Sequence, residues 1–237
     1  MFEWIAQHKA VLTVFTNLGT LCIWLVYAQL LYWGFRRQRR PRLIINRGKQ
    51  KDINALCIIS NMSAESIFIE YIIAELETNH GTIVMDVTDF EMQYNEGESV
   101  EKDGERPAAH DRPLAENTRQ GPLGSGDFLH IGTFDGLIRR MARDEGIEME
   151  GHRPCGDLEF RSLTIRLIGI YGPEDMPIGA VRSFRLQDND RYCSLTPTSW
   201  DTRRLASRRE RRQLRREVQR LNSTNFSVSS SFQQAEK

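Results

Sequence analysis

The sequence predicts a mainly β protein: an antiparallel, immunoglobulin-like β-sandwich with one short internal helix, preceded by a single transmembrane helix and followed by a basic helix. Three observations predict it. A stretch of 26 residues without a formal charge runs from Ala10 to Phe35 near the N-terminus. Behind it, apolar residues recur with the two-residue period of strands, in short runs divided by polar turns. Near the C-terminus, nine arginines crowd the residues from Arg203 to Arg220.

At 237 residues the chain has room for an anchor and one domain, since a single core suffices at this size. The formal net charge of zero hides a strong segregation. Residues 1–42 carry a net +5, residues 43–200 a net −11 and residues 201–237 a net +6. The chain therefore reads basic, acidic, basic. Four cysteines (Cys22, Cys57, Cys155 and Cys193) show no C-x-x-C spacing, so neither a disulfide framework nor a zinc ribbon is indicated, and a reducing compartment fits.

The N-terminal stretch is long enough to cross a bilayer, because about 20 residues span the hydrocarbon at ~1.5 Å each. Trp4 lies before it, and Tyr32 with Trp33 lies at its end, where amphipathic rings favour the headgroup interface. Arg36, Arg37, Arg39, Arg40 and Arg42 follow at once, whereas only Lys9 and Glu3 precede. This asymmetry puts the C-terminal side in the cytoplasm. The expected layout is a short extracytoplasmic tail (1–9), a transmembrane helix (10–35) and a basic juxtamembrane segment (36–42), in a bacterial inner membrane. A cleavable signal peptide would carry its basic residues first and a small-x-small site after, and this stretch has the reverse order.

The expected cytoplasmic sandwich covers residues 43–199. Its first strands begin at Leu43–Ile45 and at Ile53, Ala55, Cys57 and Ile59. From Ile67 to Thr78 the apolar series shifts phase, from Ile67, Ile69, Tyr71 and Ile73 on one face to Ile72, Ala74 and Leu76. That shift predicts a bulge or a strand covered on both faces. Ile83, Met85 and Val87 make a half-buried strand that pairs back after the His80–Gly81 turn. Between 95 and 126 the composition predicts a mobile loop. Thr133 suits the N-cap of an amphipathic helix carrying Leu137, Ile138 and Met141, with Gly146 as its stop. Leu163 to Tyr171 and Ile178 to Leu186 read as a long hairpin, with a further short strand at Tyr192 and Leu195. The tyrosine-corner and Cys-Trp-Cys hallmarks of immunoglobulin domains are missing, so the prediction concerns architecture alone.

A basic helix is expected over 200–222, with Asp201 at its N-terminal end, and a disordered tail over 223–237. Leu214, Val218 and Leu221 form a narrow apolar seam on it, and Arg208, Arg209, Arg211, Arg212, Arg215 and Arg216 crowd the rest. Arginine clusters of this kind contact anionic lipid, an oligomer seam or phosphates, or simply solvate a helix that packs on the body by its seam. Lipid is favoured, because a tethered chain already holds the helix at high local concentration. Nucleic acid is disfavoured, because the acidic body offers no second basic patch and no interleaved aromatics.

No catalytic, cofactor or metal signature stands out. His152, Cys155 and Asp157 have metal-ligating chemistry but no local fourth ligand. Asp86 with Asp89, and Glu75 with Glu77, read as a solvated acidic face rather than an acid–base pair. No phosphate-binding glycine loop occurs. The function expected from these residues is a protein-interaction or regulatory module at the membrane, with lipid and either a protein partner or a second copy of the chain as partners. The alternative is an oligomeric channel or membrane effector in which the polar anchor positions Thr13, Asn17, Thr20 and Gln29 line a pore.

Overall fold

The fold is known from a computed structural model, described here for residues 8–38, 40–89, 118–189 and 192–223. Trp4, residue 39, residues 95–117 of the expected loop and residues 224–237 of the expected tail lie outside the described residues. The chain divides into two units, residues 1–40 and 41–237.

The first unit is α1, Lys9–Gln38. It is long and apolar enough to cross a membrane, and its side chains from Val11 to Phe35 are exposed around the whole circumference. A helix in a soluble core would bury at least one stripe. Thr13, Thr16 and Thr20 donate their hydroxyls to the carbonyls of Lys9, Leu12 and Thr16 at 2.8, 2.9 and 2.8 Å, so these polar groups are satisfied inside the helix.

The second unit is mainly β with antiparallel pairing throughout, as the sequence predicts. Its strands are β1 (Leu43–Arg47), β2 (Leu56–Asn61), β3 (Ile67–Thr78), β4 (Thr82–Asp86), β5 (Gly121–Leu123) and β6 (Phe128–Thr133). After the helix α2 (Phe134–Asp144) come β7 (Met149–Glu150), β8 (Arg153–Pro154), β9 (Phe160–Tyr171), β10 (Ile178–Asn189), β11 (Tyr192–Pro197) and β12 (Arg203–Leu205). The helix α3 (Arg208–Ser223) closes the described chain. The smaller sheet has the order β1-β2-β6 and the larger β11-β10-β9-β3-β4, with β12 beside β10 and β5 beside β3.

One core lies between the sheets. Ile45, Cys57 and Ile59 of the smaller sheet meet Ile72, Leu76, Leu163, Ile165 and Phe184 of the larger. The apolar face of α2 closes it through Leu137, Ile138 and Met141, and the Phe134 ring meets Phe184 edge-on at 4.7 Å between centroids. Thr133 caps α2, its hydroxyl accepting from Gly136 N, and Gly146 turns the chain away at φ 67°.

The phase shift in β3 has both of its predicted causes. Against β9 the register runs Ile69↔Gly169 and then Tyr71↔Ile168, so Glu70 is an extra residue and the side chains change faces there. Before the bulge Ile67 and Ile69 face the main core. After it Ile72, Ala74 and Leu76 do, so Tyr71 and Ile73 do not continue the Ile67–Ile69 face as expected: the bulge turns both to the opposite side, where Ile73 is buried with Ile168, Leu205, Leu214 and Leu221 and Tyr71 packs against them.

Two boundaries differ from expectation. Ile53 and Ala55 precede β2 rather than belonging to it, because Asp52 bridges to Ser194, the Ile53 amide donates to Cys193 O at 3.1 Å and the Ala55 amide turns back to Asp52 O at 3.1 Å. Residues 118–126 of the expected mobile loop belong to the body. Arg119 reaches Val87 O at 2.9 Å, and β5 pairs with β3 so that Leu123 is buried opposite Ile67. A buried strand edge supplies the backbone partners that this polar composition does not advertise.

Arg182, buried on β10, ties three segments together. It donates to Ile45 O at 2.7 Å and to Ser199 O and Trp200 O at 3.1 Å each. Its guanidinium also lies 5.7 Å from the Phe184 ring centroid.

Candidate functional site

The basic C-terminal helix begins later than expected. Arg203 and Arg204 are in β12, which pairs with β10 at Gly179–Val181, because the edge of β10 offers hydrogen bonds that a helix through these residues would forgo. Asp201 therefore does not head the helix. Ser207 does: its hydroxyl accepts from Glu210 N at 3.2 Å, while the Glu210 carboxylate accepts from Ser207 N at 3.0 Å. This is a capping box, readable in the sequence as Ser207-x-x-Glu210 but masked by the arginines around it. Glu210 also places a negative charge at the helix end where Arg208 and Arg209 oppose the dipole.

The apolar seam turns inward. Leu214 and Leu221 are buried and Val218 half-buried against Ile73, Ile168 and Leu205 on the outer face of the larger sheet. These are the seam residues that a coiled-coil contact would need, and this chain already uses them. The expectation that Leu214, Val218 and Leu221 meet lipid or a partner is corrected on that point, since burying them on the sheet removes their area from water at once.

Ion pairs fasten the same helix. Arg166 of β9 donates to both Glu217 oxygens at 3.1 and 3.2 Å and contacts Glu75 of β3 at 2.5 Å. Burial pushes the Glu75 carboxyl above its ordinary range; Arg166 opposes that shift and Glu217 adds to it. Arg211 meets Glu174 at 2.6 Å, Arg203 meets Glu210 at 2.9 Å, and Tyr71 donates to Asn222. Arg211 is thus bound to the body rather than presented outward.

What remains outside is arginine. Arg208, Arg209, Arg212, Arg215, Arg216 and Arg220 are exposed on α3. A cleft of about 500 Å³ separates α3 from β3 and β4, with Ile73, Val84 and Leu221 as its apolar lining and Asp86, Arg216 and Arg220 among its charged groups. Of the expected interface residues, Tyr32 and Trp33 are exposed on α1, Arg36 and Arg37 lie in its last turns, and Arg40 is exposed. Arg42 pairs with Asp201 at 3.6 Å.

A second cleft, of about 570 Å³, holds His152, Arg153, Asp188 and Cys193 over Ile138 and Leu186. The residue types suggest a Cys–His–Asp arrangement, but the charges say otherwise. His152 Nε2 lies 2.8 Å from Asp188, and Arg153 meets the other oxygen of the same carboxylate at 2.5 Å. Burial pushes the Cys193 thiol up to about 11, which leaves almost no thiolate at neutral pH. The partner of His152 is therefore Asp188, which the sequence spacing around Cys155 and Asp157 does not signal. Among the described residues no three His, Cys, Asp or Glu side chains converge on a metal position.

No family model, curated protein or solved structure matches this chain.

Proposed function

We propose that the chain is a single-pass membrane-anchored protein whose body is a protein-interaction or regulatory module, held on the cytoplasmic side of a bacterial inner membrane with its N-terminus outside. The observation that carries the reading is the division of labour on α3. Its leucines and Glu217 are spent on the body, so the helix is rigidly mounted, and Arg208, Arg209, Arg212, Arg215 and Arg216 stand out from it. A rigid arginine comb suits anionic headgroups, worth about 1 kcal/mol per basic residue near the surface.

Support for a protein partner or second copy comes from the outer face of the larger sheet beyond α3. Phe68 and Ile170 face each other in register with Pro122 beside them, and all three are exposed. An apolar cluster left in water marks a contact surface more often than chance would place one. Two antiparallel sheets over one core also suit the immunoglobulin-like style of binding module, which is an argument from architecture.

The native cysteines test the topology. Cys57 and Cys193 are buried, with thiols pushed up to about 12 and about 11, so Cys155 is the reactive thiol of the body once Cys22 is replaced by Ser. A membrane-impermeant maleimide should label Cys155 only after the cells are opened. Labelling in intact cells would invert the topology and sink the reading. For the partner, a photo-crosslinker at Phe68 should yield an adduct with another protein or a second copy, and an adduct-free result in cells would remove this surface from the proposal.

A further inference from the structure

The end of the body where residue 41 enters is braced by a set of hydrogen bonds and one ion pair. The Arg42 carbonyl accepts from Met62 N at 2.8 Å and its amide donates to Ser63 Oγ at 2.8 Å. The Arg42 guanidinium meets Asp201, and Arg204 reaches the Pro41 carbonyl at 3.4 Å. Thr202 exchanges hydrogen bonds with Ile45, and Arg182 holds the carbonyls of Ser199 and Trp200. The loops bearing Met62 and Trp200 are therefore pinned around the point of entry. Both side chains project into solvent: Trp200 is 90% exposed and Met62 57%. Arg203 and Arg204, three and four residues after Trp200, are exposed, and α3 starts three residues after β12.

An almost wholly exposed tryptophan on a well-braced turn gains nothing from water. Tryptophan, a flexible apolar methionine and arginines together are the chemistry of a membrane interface, where the ring and the aliphatic parts sit among the upper acyl chains and the guanidinium groups meet phosphate. Covalent geometry supports the same occupant. Five residues separate Phe35, the last of the uncharged stretch, from Pro41, six Cα steps with a reach of at most about 20 Å.

We propose that this entry end is a second membrane contact: Trp200 and Met62 insert into the interfacial layer of an anionic bilayer, with Arg42, Arg203 and Arg204 on the headgroups. The contact rests on the anchor reading, and it extends the lipid-facing surface from α3 to the base of the sandwich. Its effect is to hold the body down against the surface rather than leave it swinging on its linker.

The test uses the full chain with Trp4, Trp24 and Trp33 replaced by Phe, so that Trp200 is the sole tryptophan. It is reconstituted into vesicles of phosphatidylcholine and phosphatidylglycerol, with and without bromine on the upper acyl chain. The expected result is a shift of Trp200 emission to shorter wavelength on reconstitution and a loss of emission in the brominated vesicles. That loss should fall when Arg42, Arg203 and Arg204 are replaced by Gln. A chain that floats with the vesicles while Trp200 keeps its water-exposed emission and escapes quenching overturns the second contact and leaves the anchor standing. A chain that does not float with the vesicles overturns both.

Discussion

The helices α1 and α3 lie at opposite ends of the described chain and solve opposite problems. α1 has apolar residues around its whole circumference and buries none of them in protein, whereas α3 has three apolar residues on one side and buries two of them fully. Leu25 on α1 is 62% exposed and Leu214 on α3 is 2% exposed, although both are leucines in the middle of a helix. The difference lies in what surrounds each leucine in sequence. Charge-free neighbours make a helix apolar enough to cross a membrane, while arginine neighbours leave only a narrow stripe that a sheet face can cover. The same side chain therefore stays exposed on one helix, apolar enough to cross a membrane, and is buried on a protein surface in the other.

The largest effect should come from forcing α1 to behave as α3 does. Replacing Leu21 and Leu25 by Arg should cost roughly 5–7 kcal/mol of insertion, at about 2.5–3.5 per central arginine. The chain should then move to the soluble fraction on alkaline extraction, with the β signature of the body unchanged by circular dichroism. Next in size, Leu214→Ala should lower the unfolding free energy of the body by about 2–4 kcal/mol, since it opens a cavity beneath α3. Leu25→Ala should leave that unfolding transition where it is, and equal effects from the two would break the comparison.

A smaller change tests the polar part of the mounting. Arg166→Met leaves Glu75 and Glu217 facing each other without a cation, for an expected loss of about 1–3 kcal/mol at neutral pH. Glu75 already has a raised carboxyl, so the folded chain keeps its proton longer than the unfolded chain does. Stability tied to that proton is present below the ordinary glutamate value and is lost as pH rises through the shifted one. Without Arg166 the shift should grow, so the gap between variant and parent should narrow as pH falls toward 4.5. A gap that stays constant with pH in urea titrations would mean the arginine acts by packing alone. The smallest effect belongs to the cap: Ser207→Ala should cost about 1 kcal/mol and show as faster amide exchange in the first turn of α3.

Legibility followed the range of the interactions. The α2 cap, the β9–β10 hairpin, the β3–β4 pairing and the bulge near Glu70 were all signalled by neighbours within a dozen residues. The start of α3 was misplaced because β12 is held by an edge supplied from Gly179–Val181, some twenty residues earlier. Leu123, buried opposite Ile67, could not be seen as core from a stretch of Gly, Pro and charge. Glu75 and Glu217 reading as one site with Arg166 needed three elements to meet, and no spacing in the chain announces that.

By itself, the sequence determined the character of each segment: a helix long and apolar enough to cross a membrane, an alternating antiparallel β body and a final arginine-rich helix, because charge and apolar period are local properties. Only the tertiary structure decided that the seam of that final helix belongs to the body, that its arginines split into mounting and presented ones, and that Trp200 and Met62 flank the entry of the chain. Those outcomes depend on which backbone edges and side-chain faces meet across long separations. Burial and charge pairing are set by that meeting, and no local pattern encodes it.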